Sequence, residues 1–214
     1  MTHVISAVQQ KGGAGKTTLL AALASLMASG GVRVAVIDTD PQGHLEAWAK
    51  KGAVEVDWLS EEDDERLIPV VKSLKQADDH DVILIDTAGF KSAMAMHAIA
   101  AAQLVLIPSK ASEADARGAR RTWSHVQSIA ETMDRSIPAA VVLTDVDLRT
   151  VIARAITRAL DSHAIPRLKT VLSTRTGFRE MASTGKLTGT AREAAQAVLD
   201  ELYGSGWISF KGDR

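Results

Sequence analysis

The chain has no cysteine, which removes disulfides, thiolate-held iron–sulfur clusters and thiol nucleophiles together. It also lacks any apolar run approaching the roughly 18 residues a membrane helix needs. The opening MTHVISAVQQ reads as a strand, with no charged leader and no cleavage site. Neither a membrane span nor a secretory signal is therefore expected, and the expected setting is cytoplasmic. The histidines, His3, His44, His80, His97, His125 and His163, are scattered without the close pairing of a zinc site. Internal repeats and long Gly/Ser linkers are absent too, so a single domain over 1–214 is expected.

What remains is an ordinary globular composition: 214 residues, 46% hydrophobic, 24% charged and 4% aromatic. The formal charge of −1 conceals a division. Residues 1–116 hold ten Lys and Arg against sixteen Asp and Glu, a net −6, whereas 117–180 hold eleven against six, a net +5. The tail 181–214 balances four against four. A solvated helical surface and a surface for an anionic partner both account for the arginine-rich stretch.

Apolar, β-branched runs alternate with segments of helical period. HVISAV (3–8) precedes a helix over 16–29, and RVAVID (33–38) precedes one near 43–51. DVILID (81–86) and QLVLIP (103–108) follow, then a helix over 112–133. PAAVVL (138–143), a helix over 149–163, TVL (170–172) and a last helix near 190–203 complete the pattern. Continuous hydrophobic strands separated by helices predict an α/β fold: a mainly parallel, twisted sheet with helices on both faces. The acidic run SEEDDER (60–66) reads as the solvated start of a helix, where negative charge suits the helix dipole.

Between the first strand and the first helix stands QQKGGAGKTT (9–18), which closes like the phosphate-binding pattern G-x-x-x-x-G-K-[ST] but carries Gln10 where the first glycine belongs. Gly12, Gly13 and Gly15, with Ala14 between them, let backbone N–H groups close around phosphate oxygens at a helix N-terminus. Lys16 is expected on the β- and γ-phosphates, Thr17 on Mg²⁺, and Thr18 on the α-phosphate side. Such a loop opening a helix after a strand predicts a P-loop NTPase. Lys11 precedes the loop and points outward by position. It is either a solvated lysine or one that reaches a phosphate held by a second copy of the chain.

KGGAGKTT resembles the deviant Walker A motif of the ParA/MinD family of ATPases. The resemblance implies that Lys11 crosses a nucleotide-sandwich dimer to the partner's ATP, making dimerisation depend on the bound nucleotide. VAVIDTDPQGH (34–44), with Asp38 and Asp40, resembles the family's second motif, and ILIDTAG (83–89), with Asp86, resembles its Walker B and switch region. By that resemblance Asp40 positions or activates the attacking water, and Asp86, with Asp38 near it, serves Mg²⁺. LIPSKASEADARGA (106–119) is similar to a segment near the adenine and the dimer interface, which makes Pro108 and Asp115 site candidates. The chain departs from the family at Lys110 and at Asp145 in LTDVD, where many relatives have Arg or Asn near the base.

Cargo separates the family's branches. Nitrogenase-reductase-like members need cluster cysteines. MinD-like members end in a basic amphipathic membrane helix, whereas this tail reads YGSGWISFKGDR, interrupted by glycines. The partition branch binds non-specific DNA as an ATP-bound homodimer and lies on the nucleoid until a ParB-like or cargo-adaptor protein stimulates hydrolysis. Arg149, Arg154, Arg158 and Arg175 are the DNA candidates, and a membrane partner is not expected. A carboxylate-activating ligase similar to dethiobiotin synthetase, a MinD-like membrane-associated ATPase, and a nucleotide-binding scaffold without hydrolysis stay open as alternatives.

Overall fold

The β-branched runs form the middle of one seven-stranded sheet. The computed structural model describes residues 2–89, 93–173 and 176–210. Its strands are β1 His3–Ala7, β2 Val34–Asp38, β3 Asp57–Ser60, β4 Val82–Asp86, β5 Leu104–Ser109, β6 Ala139–Thr144 and β7 Arg167–Leu172. They lie in the order β3-β2-β4-β1-β5-β6-β7, and every pair is parallel.

Alternate residues of each strand enter opposite cores, as the pleat requires. Ile5, Val36, Leu84, Leu106 and Val142 face α1 (Lys16–Ser29), α2 (His44–Ala49), α7 (Thr176–Thr184) and α8 (Gly189–Gly204). Val4, Ile37, Ile83 and Ile85 face α3 (Asp64–Ala77) and α4 (Ala93–Ala101). Val105, Ile107, Val141 and Leu143 face α5 (Glu113–Thr132) and α6 (Val151–Ser162). Each such fully buried Val, Leu or Ile contributes about 1.5–3 kcal/mol. The α/β class, the parallel sheet and the helices on both faces are as the sequence predicts.

Register then fixes the site. Ala7 pairs with Asp86, and Asp86 with Asp38, so the last residues of β1, β4 and β2 stand level at the carboxyl end of the sheet. The loop after β1 emerges beside both carboxylates.

Three elements were not legible as such. β3 is an edge strand exposed along most of its length, so it has no buried alternation to reveal it. The acidic run 60–66 divides: Ser60 ends β3, and Asp63 caps α3 by accepting from the Glu65 N–H at 3.0 Å. Helices α4 and α7 escaped because one is almost uniformly apolar and the other buries only Met181. β7 also starts earlier than TVL, at Arg167, which pairs with Val141 ahead of a register shift.

Candidate functional site

Two clefts open at the carboxyl ends of the strands, one on either side of the loop after β1, where open parallel sheets hold ligands. Gln9 roots that loop. Its buried side chain donates to the Pro108 carbonyl at 3.1 Å and accepts from the Gln10 N–H at 2.7 Å. α5 passes so close that a Cβ on Gly118 would stand 3.0 Å from the Gln9 side-chain Oε1. The far end is fixed by Thr144, whose hydroxyl donates to the Ala14 carbonyl at 2.6 Å. Gly15 has φ +94°, and a Cβ there would meet the Thr144 side chain at 3.2 Å. Glycine is the residue that takes this conformation without strain. At Gly12, by contrast, nothing lies within 4 Å of an added Cβ.

The larger cleft, about 590 Å³, is lined by Gly12, Lys16, Thr17, Thr18, Asp40 and Met181 among others. Lys16 is buried in the first turn of α1, at the positive end of its dipole. Thr17 donates to Asp86 at 2.5 Å. Asp86 is buried, and that burial pushes its carboxyl up to about 7; the Thr17 hydrogen bond opposes the shift and the Asp38 charge adds to it. The other Asp86 oxygen, Oδ1, has no hydrogen-bond partner among the described residues. A hydroxyl, an orphaned carboxylate oxygen and an ammonium-lined cleft fit a hydrated divalent cation beside phosphates, since such cations prefer hard oxygen donors.

Asp38 is engaged differently. Its Oδ1 accepts from the Asp40 N–H at 3.1 Å, and its Oδ2 accepts from the Leu45 and Glu46 N–H groups at 2.8 and 2.9 Å. It ties the loop after β2 to the start of α2, so the expectation of a cation rests on Thr17 and Asp86. Asp40 stands at the cleft with Oδ1 accepting from the Gln42 N–H at 3.0 Å.

The smaller cleft, about 190 Å³, shares Gly13, Gly15 and Thr18 with the larger and continues to Lys110, Asp145 and Phe178. Lys110 and Asp145 form an ion pair at 3.2 Å.

Lys11, Pro108 and Asp115 line neither cleft. Lys11 Nζ contacts Asp115 at 3.0 Å, with the lysine 54% exposed and the aspartate 2%. Asp115 also accepts from the Ser112 hydroxyl, and Ser112 in turn caps the Asp115 N–H at 3.1 Å. The two lysines of the loop thus occupy separate places: Lys16 in the larger cleft, Lys11 on the start of α5.

The expected DNA residues fall into two groups. Arg149 is clamped by Asp147 through Nε and Nη2, at 3.0 and 2.8 Å, which offsets its charge. Arg154 and Arg158 are exposed on α6, opposite the buried Ala153, Ile156 and Leu160, and make no ion pair among the described residues. Arg175 lies outside the described residues. Elsewhere in the basic stretch, Arg117 pairs with Glu113 and Arg167 with Asp161, so its +5 overstates the charge free to meet a partner.

Gln9, Thr144 and Phe178 were missed by sequence reasoning. A glutamine directly after a strand and a threonine ending one carry no signal until the strands are adjacent.

A sequence model of the VirC1 protein family matches residues 2–203. The chain is 36% identical over 142 residues to the protein ParA of Rhizobium radiobacter, an alignment spanning 66% of this chain and 64% of that relative. It is 28% identical over 202 residues to the maintenance of carboxysome distribution protein A of Halothiobacillus neapolitanus, spanning 90% and 89% of the two chains. Among solved structures, a putative plasmid partition protein of Borrelia burgdorferi bound to AMPPNP superposes with a TM-score of 0.77 at 16% identity, covering 96% of this chain and all of that one. The chain belongs to the VirC1 protein family, among the ParA/MinD-type P-loop ATPases.

Proposed function

We propose that the chain is a nucleotide-dependent dimerisation switch that binds ATP with Mg²⁺, holds non-specific DNA as a dimer, and is released by partner-stimulated hydrolysis. The observation that carries the reading is the division of labour between the lysines: Lys16 lines the larger cleft, while Lys11 stands half-exposed outside it.

In this reading the N–H groups of 12–15 and the start of α1 hold the phosphates, and Lys16 neutralises the β- and γ-phosphates. Thr17 and Asp86 would hold Mg²⁺, which would supply neutralisation of phosphate charge. Asp40 orients the attacking water by accepting its hydrogen bond. Lys11 leaves Asp115 to contact the triphosphate of a second copy. Arg154 and Arg158, with Arg149 and Arg175 as further candidates, meet DNA phosphates from both subunits. The name of the carboxysome-distribution relative supports a positioning role; in this reading the cargo is a plasmid, a chromosome or a protein assembly, and a ParB-like or adaptor protein is the stimulating partner. A cytoplasmic, nucleoid-associated location belongs to the same reading. No helix among the described residues is long and apolar enough to cross a membrane.

Binding to non-specific duplex DNA, measured with ATP and with ADP across a salt series, tests the proposal. ATP-only binding is expected, weakening with a log–log slope of about −0.9 per phosphate contact. Lys11→Ala should keep nucleotide binding and lose both the ATP-dependent dimer and the DNA. Equal DNA binding with both nucleotides, or an intact ATP-dependent dimer of Lys11→Ala, overturns it.

A further inference from the structure

We infer that the groove between α5 and α6 is a docking site for a partner protein, which presents there an amphipathic helix whose aliphatic side chains are flanked by carboxylates. The docking stands independently of the nucleotide-switch reading. Only its link to Lys11, given below, rests on that reading.

The groove has a volume of about 280 Å³ and shares no lining residue with either cleft at the phosphate loop. Its floor is apolar, made by the buried Ile156 and Leu160 of α6 and by Ile165 beyond the helix. Small side chains on the walls, Ala116 on α5 and Ala159 on α6, leave that floor open. Ile152 stands one turn ahead of Ile156, 53% exposed, and continues the apolar line toward the start of α6.

Shape and charge together choose the occupant. Both walls are helical, and the lining positions recur at helical spacing: 113, 116, 117 and 120 on one side, 156, 159, 160 and 163 on the other. Such a trough receives a third helix, whose side chains three and four residues apart enter it as a ridge enters a groove. An extended segment would need strand edges to pair its N–H and C=O groups, and helix walls offer none.

The rim is basic. Arg117 and Arg120 are both exposed; among the described residues Arg120 makes no ion pair, and Arg117 meets the Glu113 carboxylate at 3.5 Å. That pair is exposed on both sides and yields readily to a partner's carboxylate. An Ile and Leu floor gains nothing from a nucleic-acid backbone, whereas aliphatic anchors bury against it and the carboxylates beside them meet the arginines. Arg154 and Arg158, the exposed arginines of α6, do not line the groove.

Its position gives the groove a consequence. Glu113, Ala116 and Arg117 belong to the opening turns of α5, as does Asp115, whose buried carboxylate holds Lys11. A helix seated in the groove therefore bears on the turn that, in the proposed switch, must release Lys11.

The probe is a fluorescein-labelled, hydrocarbon-stapled peptide of roughly four helical turns, with leucines on one face and glutamates beside them; a second peptide carries lysine for each glutamate. Anisotropy titrations on the nucleotide-free full chain should show saturable binding of the glutamate peptide, and binding of the lysine peptide at least about tenfold weaker. Arg117→Glu combined with Arg120→Glu should reverse that order, which a variant that had merely lost its fold would not do. Ala159→Phe, which fills the hollow without changing charge, should weaken the glutamate peptide. The inference is overturned if the native chain binds neither peptide or both equally, if the arginine substitutions leave the order unchanged, or if they weaken duplex DNA and not the glutamate peptide. Failure of the native chain to bind ATP would instead remove the switch reading, and the docking result would stand.

Discussion

Both clefts share the loop after β1 and reach α7, but the larger turns toward the ends of β2 and β4 with α2, whereas the smaller turns toward the segments after β5 and β6. The first depends on register: once β1, β4 and β2 align, Asp86 and Asp38 must stand beside the loop. The second depends on which side chains happen to end neighbouring strands. Under the proposed reading, the phosphate side follows from sheet register and the side beyond β5 and β6 from individual side chains.

The sharpest way to break that contrast is Lys16→Ala. Lys16 is the one buried cation of the loop, and truncating one member of a buried, hydrogen-bonded charge pair costs about 2–5 kcal/mol. ATP affinity should fall by a factor on the order of thirty to several thousand. The thermal midpoint of the unliganded chain should stay near native or rise slightly, since a buried charge is removed. Titration against a fluorescent nucleotide checks the first and a calorimetric melt the second. Affinity within threefold of native would mean that the base, and not the phosphate, anchors the ligand.

This contrast also explains what could be read from the sequence. The loop 9–18 and the aspartates 38, 40 and 86 were legible because a glycine pattern between strand and helix, and carboxylates at strand ends, are local signals. Lys11 was legible as an outward lysine, but its seat on Asp115 joins residues 104 apart in sequence and needed the fold. Asp38 looked like a metal residue and is occupied by three backbone N–H groups, which no strand-end pattern distinguishes from a free carboxylate. The arginine surplus was visible, whereas its partial cancellation by Asp147, Glu113 and Asp161 depended on where loops and helix turns bring the acids. Edge strand β3 and helices α4 and α7 went unread because each lacks a half-buried period.

A middle-sized effect separates the glycines of the loop. Gly15→Ala forces an L-residue into φ +94° and a methyl against Thr144, at a cost of roughly 1–2 kcal/mol or more from the backbone alone. For a chain of this size the melting temperature should drop by about 2–8 °C. Gly12→Ala meets nothing within 4 Å, so stability should change by less than about 0.5 kcal/mol. Its effect should appear in ATP affinity, where the methyl occupies room the phosphates need. If Gly12→Ala binds ATP normally, the phosphates do not approach that part of the loop, and the wall of the larger cleft is shorter than drawn.

The smallest expected effect concerns the residue that belongs to neither cleft. Lys11 rests on Asp115, and under the proposed reading it must leave that carboxylate to serve a second copy. A half-exposed ion pair of this kind contributes about 0.2–1 kcal/mol. Asp115→Asn keeps the shape and an acceptor for the Ser112 hydroxyl while removing the charge, so the pair is weakened with little change to the start of α5. The ATP concentration at half-dimerisation should then fall by up to about fivefold, as read by sedimentation velocity. Combining it with Lys11→Ala should abolish the gain, because the two residues act on one contact and their effects cannot add. A rise in the midpoint would mean that Asp115 aims Lys11 toward the partner instead of holding it back, and the carboxylate would then belong to the dimer contact itself.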